Sequence, residues 1–332
     1  MVDILIPQTI FAAPITLLGV LAVCLGALYF FRRVSLERPP IGVFNGRDII
    51  VLYVFIITLP TLYLVLPQWL LTGFLIVTFM AALSIGYRPV LPRAVLWPAI
   101  GLLIGVNIWI ARTMLGTVSG WQLMLVMNAL MVLLTAVAVA NLYVQGGMRV
   151  KHVAVFALTL GVYDLAFLPF TLQLADAFIG HPLNPAVGMR MSVFNVDIGL
   201  GDLLVYGLFT TATLKAYGPR AARVAVGVTA VFGAILPALA PLLITEVTRG
   251  NGNVVTPAQV VFGPAAFITY LLLKRRYGPE RTFAQFRADP SGTPARRQAV
   301  RPVAQPASAA APSPAEAVPT AAPSPAETVP SP

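Results

Sequence analysis

Long apolar stretches recur along the chain, and short segments with charges, prolines or polar turns separate them. A helix needs about 20 mostly apolar residues to cross a hydrocarbon core roughly 30 Å thick. Cutting the chain at its polar breaks predicts nine such helices. The predicted spans are about 8–31, two within the uncharged stretch 49–87 split at Pro67-Gln68-Trp69, then about 94–110, 121–144, 153–170, 192–214, 224–245 and 255–273.

Positive charge is distributed unevenly between the connections of these predicted spans. One alternating set of connections holds most of the lysines and arginines, whereas the other holds only Arg112, Arg190 and Arg249. Because basic loops stay on the cytoplasmic side, the first set is predicted to be cytoplasmic. We therefore expect a multi-pass protein of the cell membrane with its N-terminus outside and its C-terminus inside, which agrees with an odd number of spans.

Composition supports the same class of protein. Hydrophobic residues make up 58% of the 332 residues and charged residues only 10%, whereas soluble domains carry about 25% charged residues. The formal charge of +10 is spread over the connections and the C-terminal segment. It does not form one basic face, so the expected partner is the lipid bilayer and not nucleic acid. The sequence predicts an all-α polytopic membrane protein.

Three regions are expected along the chain. Residues 1–145 would form a membrane scaffold of five spans, and residues 146–276 a catalytic membrane core of four. Residues 277–332 would form a cytoplasmic tail, which from residue 289 onward is rich in Pro, Ala and Ser. Such a composition cannot bury a core, so the tail is predicted to be disordered.

Two aspartates lie inside the predicted spans. Asp164 ends the motif Gly-Val-Tyr-Asp in the sixth span, and Asp202 ends Gly-Leu-Gly-Asp in the seventh. A carboxylate in hydrocarbon costs roughly 2.5 kcal/mol or more, so an acid within a span is a candidate functional group. With a rise of about 1.5 Å per residue, both acids are predicted about 18 Å above the inner boundary. Antiparallel neighbouring helices would therefore place them at matching depth.

Such a pair has a definite chemistry. Two carboxyl groups a few ångströms apart share one proton and titrate together. The ionised member can deprotonate a water molecule while the protonated member polarises a carbonyl group, as in aspartic proteases. Gly199 and Gly201 leave room beside Asp202 for a substrate backbone or a neighbouring helix. Because the pair supplies both acid and base, neither a cofactor nor a metal is expected. Cys24, His152 and His181 are also too scattered to form a metal site.

Tyr163-Asp164 and Gly199-Leu200-Gly201-Asp202 resemble the paired YD and GxGD motifs of the presenilin and signal peptide peptidase family. The resemblance covers about residues 153–273, whereas the first five spans match only in number. It implies a presenilin-like fold of nine spans and an intramembrane aspartyl endopeptidase with Asp164 and Asp202 as catalytic residues. The implied substrates are single-span membrane proteins or remnant signal peptides, with Tyr163, Gly199, Leu200 and Gly201 positioning them. The outside N-terminus resembles signal peptide peptidases while the motifs resemble presenilin, a combination that suits a prokaryotic-type homologue.

A third motif of that family, Pro-Ala-Leu, begins the ninth span and positions the substrate. Here the predicted ninth span begins with Pro257-Ala258-Gln259, so glutamine stands in the place of leucine. A literal Pro237-Ala238-Leu239 occurs within the predicted eighth span. Position along the chain favours Pro257-Ala258-Gln259 as the counterpart, and both candidates stay open at this point.

Other interpretations compete with that of a protease. Intramembrane acids also serve as proton relays, so a proton-coupled transporter is the alternative function. Asp197 is predicted on another face of the seventh span near the outer surface, and Asp176 in a short amphipathic piece of the outer connection. Asp164 and Asp202 could also be structural acids that only form hydrogen bonds. A protease would have to unwind a helical substrate, and the expected way is to add it as a strand to an edge near the site.

Overall fold

The computed structural model is mostly helical and contains one short β-hairpin. It describes residues 2–36, 47–48, 50–51, 53–54, 58, 66–114, 116–178, 190–193, 196–240 and 257–290. All of these belong to one compact unit, Met1–Arg296. The helices are α1 (Val2–Arg33), α2 (Gln68–Tyr87), α3 (Arg93–Thr113), α4 (Val118–Gln145), α5 (Val150–Phe178), α6 (Leu200–Tyr217), α7 (Pro219–Ala240), α8 (Ala258–Tyr277) and α9 (Phe283–Ala288), and the strands are β1 (Arg190–Val193) and β2 (Val196–Gly199).

Four described helices are long and apolar enough to cross a membrane. They are Ala13–Arg33, Arg93–Thr113, Val118–Gln145 and Pro219–Ala240. Thr72–Tyr87 is apolar but shorter. The chain is therefore a predominantly helical membrane protein. Most of the second predicted span, between residues 49 and 66, lies outside the described residues.

Helix α6 is the centre of the bundle. It contacts α1, α4, α5, α7 and α8, and nearly every residue from Leu203 to Tyr217 is buried. Its threonines Thr210, Thr211 and Thr213 are fully buried, and Thr210 and Thr211 donate hydrogen bonds to backbone carbonyls of the preceding turn. Since neighbouring helices cover it on all sides, α6 can be less apolar than a helix exposed to lipid.

The predicted seventh span is wrong at its start. Arg190–Val193 and Val196–Gly199 form a pair of antiparallel strands in which Arg190 pairs with Gly199 and Ser192 with Asp197, and helix α6 begins only at Leu200. In this segment apolar and polar residues alternate and β-branched residues are frequent, a pattern that favours a strand. Asp197 is therefore a strand residue and does not lie on a face of a helix. The expectation of an all-helical chain fails at this hairpin.

Two other predicted boundaries differ from the structure. Helix α5 continues to Phe178, eight residues beyond the predicted end at 170, so Asp176 belongs to this helix and not to a separate piece. At the C-terminal side, Glu280 and helix α9 are ordered parts of the bundle, whereas the tail was expected to begin at 277. Thr282 and Gln285 form a capping box at the start of α9, and Phe286 is buried. Residues 291–332 of the predicted tail lie outside the described residues.

The segment around Glu280 ties several helices together at one end of the bundle. Its carboxylate accepts hydrogen bonds from the backbone N–H groups of Val150, at 2.9 Å, and Lys151, at 3.0 Å. These N–H groups belong to the first turn of α5, which has no intrahelical acceptors for them. The ring centroid of Phe286 lies 5.2 Å from that of Phe31 on α1. Both contacts explain why this segment departs from the predicted tail.

Helix α7 contains a π-helical stretch, Thr229–Ile235, just before Pro237. Proline lacks the N–H group that would bond to the carbonyl four residues earlier, which is that of Gly233. The hydroxyl of Tyr206 donates a hydrogen bond of 3.0 Å to that carbonyl instead. A neighbouring helix thus supplies the missing donor, as membrane helices with prolines require. Pro241 lies outside the described residues.

Candidate active site at Asp164 and Asp202

Asp164 lies on the face of α5 that points into the bundle. Gly161, Leu160 and Ala157 are three, four and seven residues before it, and all three are buried. Positions with these spacings share one face of a helix. On the opposite face Val162 is 63% exposed. The amphipathic pattern of α5 therefore directs the carboxyl group towards the protein and away from lipid.

Asp202 lies in the first turn of α6. Gly199 is the N-cap residue of this helix, so Asp202 is its third residue. The Asp202 carboxylate accepts a hydrogen bond from the backbone N–H of Gly199, as the acid of a capping box does. The positive end of the helix dipole also favours a negative charge there. The acid is thus placed at a helix start, not in the middle of a long span.

The two acids lie within electrostatic range of each other, on two helices that are in contact. The helices are α5 and α6, and the charge of Asp202 acts on Asp164. Both aspartates are half-buried. Two neighbouring carboxyl groups in such surroundings bind protons as a pair, so one proton can be shared between them. The arrangement can therefore offer a base and an acid at the same place.

Gln259 is the direct partner of Asp202. Its Nε2 donates a hydrogen bond of 2.9 Å to Oδ1 of Asp202. The Gln259 side chain is only 2% exposed, and within the described part of the chain its Oε1 has no hydrogen-bond partner. A buried amide oxygen without a donor is costly, by about 1–3 kcal/mol. This oxygen is a buried acceptor without a partner from the described protein.

The start of α8 is fixed against α5 by two glycines. A Cβ atom on Gly161 would lie 2.6 Å from the backbone oxygen of Gln259, and one on Gly263 would lie 2.5 Å from that of Ala157. Each glycine therefore permits a backbone approach that no other residue allows. Gly161 precedes Asp164 by about one turn, so this contact brings the backbone of Gln259 to the part of α5 that carries Asp164.

The other predicted site residues surround this pair. Tyr163 is half-buried and feels the charge of Asp164, and Leu200 packs against the core. A Cβ on Gly199 would lie 3.2 Å from Oδ2 of Asp202, whereas one on Gly201 would have no atom within 4 Å. Gly199 thus keeps the carboxylate in position, and Gly201 leaves open space next to it.

Of the two candidate Pro-Ala motifs, Pro257-Ala258-Gln259 lies at the acids. Pro257 is the N-cap of α8, with Ala258 as its first residue. Pro237 lies within α7, in the segment whose freed carbonyl bonds to Tyr206. Gln259, the third residue of this candidate, is the residue that is hydrogen-bonded to Asp202. Sequence reasoning identified its position but not this hydrogen bond.

Sequence reasoning missed Tyr206. It follows Asp202 by one helical turn and is fully buried, and the charges of Asp202 and Asp164 both act on it. Its ring centroid lies 4.8 Å from that of Phe262 on α8. A Cβ on Gly233 would lie 2.9 Å from this ring, so glycine is needed there as well. The spacing of four residues from Asp202 was the available signal.

The described residues contain no group of three or more His, Cys, Asp or Glu side chains that could hold a metal ion. The acid pair is therefore the candidate centre that these residues provide. Comparison of the chain with protein-family models, with curated proteins and with solved structures gave no match.

Proposed function

We propose that this protein is an intramembrane aspartyl endopeptidase that hydrolyses peptide bonds within membrane-spanning segments. The observation that carries the proposal is the juxtaposition of Asp164 and Asp202, with Gln259 bonded to Asp202. A structural acid needs only its cap or its partner. A second acid beside it raises the cost of burial, which a purely structural role does not explain.

In this mechanism Asp202 is the base and Asp164 is the acid. The Gln259 amide donates to Oδ1 of Asp202, which favours the ionised form of that carboxyl group. Asp202 removes a proton from water, and the water oxygen bonds to the scissile carbonyl carbon. Asp164 gives its proton to the carbonyl oxygen, which produces a tetrahedral diol. When the C–N bond breaks, the amine leaves with the proton from Asp202, and a diol proton returns to Asp164.

The proposed substrate is a single-span membrane protein or a remnant signal peptide in extended form. The β-hairpin ends at Gly199, directly before the helix that carries Asp202. Among the described residues β1 and β2 pair with each other, and the extended substrate is proposed to add as a strand beside them. Gly201 provides open space for the backbone.

The proposal includes the resemblance to the presenilin and signal peptide peptidase family. It also includes nine membrane crossings, an outside N-terminus and a cytoplasmic C-terminus. The YD and GxGD motifs support it because they contain both acids. The basic residues at the ends of α1 and α8 support the orientation, since Arg32, Arg33 and Arg276 lie in the last turns of these helices. Both ends would then lie on the cytoplasmic face.

The test is cleavage of a tagged single-span reporter by the purified protein in lipid vesicles. We expect Asp164→Asn and Asp202→Asn each to lower the rate by about 10²–10⁴-fold, and a transition-state mimic of aspartic proteases to inhibit the wild type. Asp289→Asn, which alters an exposed acid at the end of α9, is the control and should cleave normally. Equal product from the wild type and both active-site variants, all of them folded, would contradict the proposal. Proton uptake by the vesicles would then test the transporter.

A further inference from the structure

A crevice away from the two aspartates lies between α1 and α7. It encloses about 570 Å³. An adjoining cavity of about 550 Å³ shares Arg32, Arg33 and Pro219 with it and extends towards α9. Arg32 and Arg33 end the apolar stretch of α1, so the crevice lies where that helix would leave the hydrocarbon.

The crevice is strongly basic at one end. Arg32, Arg33 and Arg223 line it, and no acidic residue is among the described residues that line either cavity. The guanidinium of Arg33 lies 4.6 Å from the ring centroid of Tyr29, which holds this side chain at the crevice. Three cations without an acid in the lining attract an anion.

The start of α7 adds a second attraction for an anion. Pro219 lines the crevice at the first position of this helix. The N-cap residue is Gly218, which has no side chain that could cap the helix. The first turn of a helix has N–H groups without intrahelical acceptors, and its dipole is positive there. A phosphate group is suited to both features.

The remaining walls are apolar. Leu25, Leu28 and Val226 line the crevice on the side away from the arginines, and Leu25 is 56% exposed. These side chains belong to the parts of α1 and α7 that are apolar enough to lie within a membrane. A soluble anion would leave them uncovered, whereas an acyl chain would cover them. The ligand that fits is anionic at one end and apolar at the other.

We propose that the crevice between α1 and α7 binds an acidic phospholipid. Its phosphate lies between Arg32, Arg33, Arg223 and the start of α7, and an acyl chain follows Leu25 and Val226. Basic pockets between membrane helices recognise such headgroups. This site is separate from Asp164 and Asp202, so the lipid-binding proposal does not depend on the proposed protease activity.

The test uses the full-length protein in nanodiscs with equal amounts of phosphatidylglycerol and phosphatidylcholine, from which the lipids retained on purification are counted by mass spectrometry. The wild type should retain phosphatidylglycerol preferentially. In the variant R32Q/R33Q/R223Q this preference should fall by about tenfold or more. The matched control K274Q/R275Q/R276Q removes three exposed charges at the end of α8 and should keep the preference.

The single variant Arg223→Gln separates a loss of lipid binding from a loss of folding. This side chain is exposed, so the substitution cannot disturb the core, and it should give an intermediate preference. No preference in the wild type, or equal losses in both triple variants, would overturn the proposal. Inorganic phosphate added to nanodiscs of phosphatidylcholine alone should not raise the melting temperature. If inorganic phosphate raises the melting temperature of the wild type as much as phosphatidylglycerol does, the site binds a soluble anion and the lipid proposal fails.

Discussion

The side-chain amide of Gln259 and the carboxylate of Asp202 are joined by a hydrogen bond of 2.9 Å between helices α8 and α6. The bond has a direction, because Nε2 can only donate and the carboxylate oxygen accepts it. It therefore fixes the orientation of the proposed base and leaves the amide oxygen for another donor. A leucine in this place, as in the Pro-Ala-Leu motif, could do neither.

Gln259→Leu should lower kcat for reporter cleavage by about 10- to 100-fold, since a hydrogen bond to a charged group contributes about 1.5–3 kcal/mol. The measurement is steady-state cleavage in vesicles, with the exposed Gln122→Leu as the control. An unchanged kcat would mean that Gln259 does not position the base.

Gly161→Ala should destabilise the protein by about 1–3 kcal/mol, because the added methyl group overlaps the backbone of Gln259. Both cleavage and the melting temperature in detergent should fall. Gly101→Ala is the matched control, since a Cβ at Gly101, also within a helix, meets no atom within 4 Å. Equal melting temperatures for the two variants would contradict the close approach of α5 and α8.

Tyr206→Phe should cost about 0.5–1.5 kcal/mol of stability, because the Gly233 carbonyl loses its donor and Pro237 cannot replace it. Tyr217→Phe is the control within the same helix. Its hydroxyl is buried and has no hydrogen-bond partner in the described part of the chain, so its removal should be neutral or slightly stabilising. Chemical unfolding in detergent measures both, and a reversed order would be evidence against this role of Tyr206.

Glu280→Gln should lower the stability of the bundle by about 1 kcal/mol, since it weakens the cap on Val150 and Lys151 at the start of α5. Hydrogen exchange of these two backbone amides is the direct measurement and should accelerate. The exposed Asp289→Asn serves as control. If the exchange rates stay the same, another group protects the helix start.

The sequence predicted the helical membrane character well, because long apolar runs indicate segments that lie in lipid and polar breaks indicate segments that lie in water. The break at Pro67 and the end of α1 at Arg33 follow from that pattern. The two strands Arg190–Val193 and Val196–Gly199 do not follow from it, because an alternating pattern is hard to recognise within a run that has enough apolar residues to cross a membrane. Their strand character depends on where α6 begins, and only Gly199 hinted at that.

The two acids of the candidate site could be predicted from the sequence, but the residues that contact them could not. Asp164 and Asp202 stand out because a charge within an apolar stretch is costly. Gln259 and Tyr206 are ordinary polar residues in the sequence, and their importance arises from contacts across helices. Glu280 likewise acts on residues 130 positions earlier in the chain, a distance at which no local pattern carries information.

That long separation sets an order of assembly during protein synthesis. The ribosome completes α5 and α6, and with them both aspartates, well before it reaches Gln259 and then Glu280. Until then the first turn of α5 lacks its capping carboxylate, and Asp202 lacks the amide that orients it. The acid pair therefore acquires its final geometry only when translation of the membrane region is almost finished, so a nascent chain carries the acids without the arrangement that the proposed chemistry needs.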